Sequence, residues 1–261
     1  MDEAISSDFS KLGIETLPEM RENMLFGGAL TMSMPPPFVD VSDFRQLSDT
    51  QECWADASTD QSIVIEILAH DDEVEDSACA EFYWNDIIQC NDAEGEGDSM
   101  ISAATREITD HVAALFADAP ESNTRVAAPS CWGLTGVQQV AKFKDEDKNT
   151  VCVHVAVIRL PCVDSDIVVH FNQPLQISEH SSSALLAHAL PAGTVEQGNE
   201  FFSAILASLK IRDWGLFSSP NEEEEEDDED AGAGVAAAGE GLPSLCVLDV
   251  SGQTKACTAP T

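Results

Sequence analysis

The chain has 261 residues, 43% of them hydrophobic, and a formal net charge of −36. Length and apolar share allow one large domain with tails and a buried core. Charge of this size repels phosphate, which excludes nucleic acid and anionic membrane as main partners and favours a basic protein surface.

Residues 1–23 carry six acids and two bases and read as a flexible polar lead; they lack the basic start and apolar run of a secretory signal. "LFGGALTMSMPPPF" (25–38) then predicts a glycine turn, a short strand and a proline stop. "QECWA" (51–55) predicts a short strand. "STDQSIVIEILAH" (58–70) has two readings. Ile63, Ile65 and Ile67 alternate as in a strand, while Ile63, Val64, Ile67 and Leu68 make one helical face. Ser58, Thr59 and Asp60 supply dense N-cap chemistry, which favours the helix.

"CAEFYWNDIIQC" (79–90) is an apolar stretch that reads as helix or strand, with the helix ahead, and "CNDAEGEGDS" (90–99) reads as a loop. "ISAATREITDHVAALFAD" (101–118) has helical spacing in Ile108, Val112 and Leu115, and "APESNTRVAAPS" (119–130) reads as a second loop. "TGVQQVAKF" (135–143) predicts a strand that ends in the charged turn "KDEDKN". "TVCVHVAVIRLP" (150–161), the turn "CVDSD" and "IVVHFNQP" (167–174) predict a β-hairpin. "NEFFSAILASLKI" (199–211) sets Phe202, Ile205, Leu206 and Leu209 on one helical face. "RDWGLF" closes the domain near Ser218.

Beyond it, nine consecutive acids run from Glu222 to Asp230, and too little apolar mass follows to offset the entropy of ordering. Residues 219–261 are predicted to be a disordered acidic tail. Residues 221–261 hold 11 acids and one Lys, so the first 220 residues keep a net charge of −26 and the body is acidic without the tail. The fold class is α/β, three-layered, with a mainly antiparallel sheet flanked by helices.

The eight Cys are scattered without a C-x-x-C pair, so free thiols of a reducing compartment are expected. No run approaches the ~20 apolar residues of a membrane span. One Gly27-Gly28 pair is no phosphate loop, and no cofactor is predicted. His154 and His170 lie on predicted strands, where a hairpin can set two residues opposite each other, but no His-x-x-x-His spacing accompanies them and no metal site is predicted. No nucleophile elbow or Cys/His signature appears.

Several stretches, in this order, resemble the Ran guanine nucleotide release factor family, small nuclear proteins that bind the GTPase Ran. They are "LFGGA" (25–29), "PPPFVDVSDFRQLSDTQE" (35–52), "TDQSIVIEIL" (59–68), "QQVAK" (138–142), "IRLP" (158–161), "DSDIVVHFNQP" (164–174) and "LFSS" (216–219). The resemblance covers roughly residues 24–218. It implies a twisted, mainly antiparallel sheet of about six strands between helices, similar to the extrinsic PsbP proteins of photosystem II. It also implies a non-enzymatic monomer of nucleus and cytoplasm that prefers GTP-loaded Ran, promotes nucleotide release and supports nuclear import. Where the family carries an acid three residues after Glu66, this chain has Ala69, with Asp71 and Asp72 beyond.

Ran-type GTPases carry basic residues around the nucleotide, so the carboxylates of 40–68 become candidate contacts. Asp43 and Asp49 read as turn caps or as contacts, and Arg45 as their pairing partner. Gln51 and Glu52 begin a strand and face either solvent or the partner. Asp60 reads as an N-cap ahead of a contact. Glu66 interrupts an apolar run, so it is expected to face out and touch the partner. Two rival functions stay open: an acidic, chaperone-like binder of basic proteins acting through the tail, and an accessory protein or enzyme on a PsbP-like fold.

Overall fold

The structure is a computed structural model that describes residues 19–116, 128–141, 148–181, 184 and 193–217. In chain order its elements are β1 (Arg21–Leu25), β2 (Leu30–Met34), β3 (Val39–Asp40), β4 (Gln51–Asp56), β5 (Gln61–Ala69), α1 (Asp76–Cys90), β6 (Ser99–Glu107), β7 (Ser130–Ala141), β8 (Lys148–Leu160), β9 (Ser165–Gln176), α2 (Val195–Ser208) and β10 (Lys210–Ile211). Seven strands form one sheet in the order β3-β4-β5-β9-β8-β7-β6, with every neighbouring pair antiparallel. β1, β2 and β10 form a second, three-stranded antiparallel sheet. The expected α/β class and antiparallel sheet are therefore present, with seven strands in place of about six.

β8 and β9 lie inside the large sheet, and both are buried along most of their length. Period-two alternation divides their residues between two cores. On one face Ile63, Ile65, Ala156, Ile158, Ile167, Val169 and Phe171 pack with Phe202, Ile205 and Leu206 of α2 and with Leu30, Met32 and Met34 of β2. On the other, Leu134, Val153, Val155, Val157 and Val168 pack with Cys79, Ala80, Tyr83, Trp84 and Ile87 of α1. Those five α1 residues recur at helical spacing, which is why this stretch is a helix. α2 starts at a capping box: the Thr194 hydroxyl accepts from Gln197 N–H at 3.3 Å, and Gln197 Oε1 accepts from Thr194 N–H at 2.9 Å.

α1 packs against β7 at a glycine. A Cβ on Gly136 would collide with the Trp84 ring and lie 3.0 Å from the Met100 carbonyl. Trp84 is 2% exposed, so its ring is enclosed by the core. Gly136→Ala is expected to cost about 2 kcal/mol, the usual penalty for overpacking. Urea denaturation measures it, and an unchanged midpoint would show that the ring can shift.

Three sequence readings change. The segment 58–70 is a strand and a turn, with no helix. Asp56 accepts hydrogen bonds from Ser58 N–H (2.8 Å), Ser58 Oγ (2.7 Å) and Thr59 Oγ1 (2.9 Å), so the polar cluster closes the β4–β5 hairpin where helix caps were expected. Asp60 takes the left-handed conformation there, at φ 58°. β5 then pairs with β4 on one side and β9 on the other, which suits a β-branched run. The second change falls on 101–118: residues up to Glu107 belong to edge strand β6, and only Thr109–Phe116 is helical, as 3₁₀ turns that bury Val112 and Leu115. The third concerns His154 and His170. His154 pairs with Phe171 and His170 with Val155, so the two rings point to opposite faces of the sheet.

β1 begins at Arg21, inside the stretch expected to be a loose lead. α2 starts four residues before the predicted helix and gives way at Lys210 to β10. Loop 119–130 falls largely, and the acidic tail 219–261 wholly, outside the described residues. Among the described residues no helix is long and apolar enough to cross a membrane.

Candidate partner-binding site

The loop from β3 to β4 is built from its own side chains. Asp40 Oδ1 accepts from Ser42 N–H at 2.8 Å and caps the 3₁₀ turn Val41–Asp43. The Val41 carbonyl then accepts from Phe44 and Arg45 N–H at 3.0 and 3.1 Å. Thr50 and Gln51 turn back over Ser48, whose carbonyl accepts from Gln51 N–H at 3.0 Å. Val41 and Leu47 pack on Cys53 and Val64 of the sheet. The loop is thereby pinned at both ends, and its polar residues stand on an apolar foot.

A cleft of about 280 Å³ opens beside it, lined by Phe26, Ser42, Arg45, Asp49, Gln51 and Glu52 among others. Four of the seven predicted site residues meet there. Asp43 and Asp49 are exposed and make no ion pair or side-chain hydrogen bond among the described residues, so the cap role falls to Asp40. Arg45 lies in the same cleft, and no ion pair among the described residues joins it to Asp43 or Asp49.

Glu52 faces inward. Its Oε1 accepts from Phe26 N–H at 2.5 Å and its Oε2 from Trp54 Nε1–H at 3.1 Å. It thus ties the turn of the small sheet to the large one. That turn runs through Phe26, Gly27 and Gly28, all at positive φ, so the Gly pair serves a turn as expected. Burial pushes the Glu52 carboxyl above its ordinary range, while the hydrogen bonds from Phe26 and Trp54 pull it back.

Glu66 corrects the sequence reading most. It was expected to face solvent, and it is 2% exposed. Strand alternation places it on the face of Val64, and the register sets it opposite Gln51. Gln51 Nε2–H donates to Glu66 Oε1, giving the buried carboxylate a partner. Gln51 in turn lines the cleft. Asp60 lies apart from this group, buried in the hairpin turn at the far end of β4.

Sequence reasoning missed a second polar cluster. Arg159 and Asp166, 2% and 1% exposed, face each other across the β8–β9 hairpin with 3.3 Å between Arg159 Nε and Asp166 Oδ1. Arg159 also donates to the carbonyls of Val74 (3.0 Å) and Asp71 (2.8 Å). His70 Nδ1 lies 2.7 Å from Asp166 Oδ1, and Tyr83 OH donates to Asp166 Oδ2 at 3.2 Å. Burial pushes the Asp166 carboxyl up, against the pull of His70 and Arg159. The cluster anchors loop 70–75 and the start of α1 to the sheet. The sign of it was in the sequence: Arg159 and Asp166 are equidistant from the turn at 161–164.

Residues 23–174 match the family model described as Ran-interacting Mog1 protein. The chain is 36% identical over 197 residues to a Danio rerio Ran guanine nucleotide release factor, covering 74% of this chain and 97% of that protein. It is 28% identical over 177 residues to the Saccharomyces cerevisiae nuclear import protein MOG1, covering 63% of this chain and 71% of the yeast protein. A crystal structure of the Saccharomyces cerevisiae Ran-binding protein Mog1p has a similar fold, with a TM-score of 0.54, 22% identity, and coverage of 77% of this chain and all of the yeast chain. By the extent of the family match and of the fish relative, the chain belongs to the Ran-interacting Mog1 family.

Proposed function

We propose that this chain binds the small GTPase Ran and promotes release of its guanine nucleotide, in support of nuclear import. The observation that carries the reading is family membership over residues 23–174, among relatives named Ran guanine nucleotide release factor and nuclear import protein. GTP-loaded Ran is the preferred form, the chain acts as a monomer without covalent catalysis, and it works in nucleus and cytoplasm. Residues 24–218 suffice for binding.

The loop 40–52 supplies the contact. Asp43 and Asp49 offer free carboxylates to basic side chains, and Arg45, Gln51 and Glu52 shape the cleft beside them. Glu66 acts from beneath by holding Gln51, and Asp60 by closing the hairpin that carries β4 and β5. Carboxylates brought near a bound nucleotide repel its phosphate oxygens and compete for the Lys and Mg²⁺ that hold them. That loosens the nucleotide with no bond made or broken in the protein.

Ran loaded with a fluorescent guanine nucleotide tests this. Adding the chain is expected to speed nucleotide release severalfold. The association rate is expected to fall severalfold from low to physiological salt, where the Debye length is ~8 Å. An unchanged release rate defeats the proposal. A rate of association indifferent to salt removes electrostatic steering from it.

A further inference from the structure

Phe44 is 78% exposed, at the crest of the β3–β4 loop. Its backbone is fixed: its own N–H and that of Arg45 both donate to Val41 O, and Val41 itself is packed on the sheet. Ser42 and Arg45, on either side of it in sequence, wall the 280 Å³ cleft. The free carboxylates Asp43 and Asp49 belong to the same loop. A large aromatic side chain held in water by a pinned turn, within a polar and charged surround, has the anatomy of an interface hot spot.

We infer that Phe44 is the apolar anchor of the Ran interface. Its occupant is a basic patch on Ran. The ring packs against the aliphatic stems and cationic heads of Lys or Arg side chains, while Asp43 and Asp49 pair with neighbouring positive charges. The complementarity is one of charge: the chain carries −36, and its exposed carboxylates flank the ring in sequence. This inference rests on the Ran reading above and adds the residue that supplies affinity once charge has steered the encounter.

The test is a binding titration of the full chain against nucleotide-loaded Ran, at low and at physiological salt. The proteins are wild type, Phe44→Ala, Phe44→Leu and the double variant Asp43→Asn/Asp49→Asn, with thermal melting of each. Phe44→Ala is expected to weaken binding about 30-fold at both salt concentrations, as removal of a hot-spot aromatic does. Its melting temperature stays that of wild type, because the ring is exposed. Phe44→Leu recovers much of the loss. The double variant loses affinity most at low salt, and the deficit shrinks as salt screens the charges. Phe44→Ala binding within threefold of wild type overturns the anchor and leaves the Ran reading standing. A Phe44→Ala deficit that fades with salt also overturns it, since an apolar contact is not screened. Absence of Ran binding by wild type overturns the Ran reading and the anchor with it.

Discussion

Glu66→Lys is expected to destabilise the fold by about 3–5 kcal/mol, the usual result of breaking a buried, hydrogen-bonded charge from one side. Glu66 is 2% exposed, on the same sheet face as Val64 and directly across from Gln51. Val168 faces it on the neighbouring strand β9. A lysine there buries an ammonium among apolar groups and points donors at the donating amide of Gln51. Glu66→Gln keeps volume and an acceptor oxygen, and is expected to lose about 1 kcal/mol. Chemical denaturation of the two variants beside wild type measures both. A Glu66→Lys protein that unfolds with wild type would place this side chain in solvent and revive direct contact with the partner. Otherwise, weakened Ran binding by Glu66→Lys reports a damaged fold, and Glu66→Gln is the informative variant.

The sheet was largely legible because its central strands carry their own signal. The alternating Val and Ile of β8 and β9 occur around a short turn, and the register follows from that turn. β5 was misread because its local and tertiary signals conflict. Ser58–Asp60 has the chemistry of a helix cap, and nothing within the segment reveals that Asp56 will claim those hydroxyls for a hairpin. β4 on one side and β9 on the other then impose the extended form. β6 shows the same conflict more weakly. Its register slips twice against β7, between Ile101 and Ala103 and again before Arg106, so no clean alternation marks it as a strand.

The placement of the candidate site residues was legible only in part. Asp43 and Asp49, read as turn caps or as contacts, are exposed, and the cap falls to Asp40. Burial was the part that misled. An acid in an apolar run faces water only where one face of its strand is open; Glu66 lies on the face opposite Ile63 and Ile65, and that face is buried too. Glu52 was hidden for another reason: its partner Phe26 is 26 residues away and belongs to the other sheet. Phe44 gave no sequence signal apart from Val41 and Leu47, since all three are apolar residues of one loop. Only the fold shows that two of them are feet and one is the crest.

Between pH 6.5 and 4 the protein is expected to lose about 3 kcal/mol of stability through His170 alone, at ~1.4 kcal/mol per pH unit. His170 is 1% exposed, between Val64 on β5 and Val155 on β8. Neither ring nitrogen has a hydrogen-bond partner. Burial with nothing to share a charge pushes its pKa from 6.5 down to about 4. The unfolded ring takes a proton near pH 6.5, and the folded ring refuses it until about pH 4. In that window the unfolded state holds more protons, so stability rises with pH. It is complete above pH 6.5, falls through the window, and is spent below pH 4. The chain is rich in carboxylates, so the measurement is a difference. His170→Leu removes the ring and its two unpaired nitrogens. At pH 7.5 it should be at least as stable as wild type, because no unsatisfied polar atom remains there. As pH falls from 6.5 to 4.5, wild type should lose stability relative to His170→Leu by about 1 kcal/mol per unit or more. Denaturant midpoints across that range decide it. Parallel pH profiles for the two proteins would mean that His170 takes its proton in the folded state as readily as in the unfolded one, and that its environment is wet or partnered.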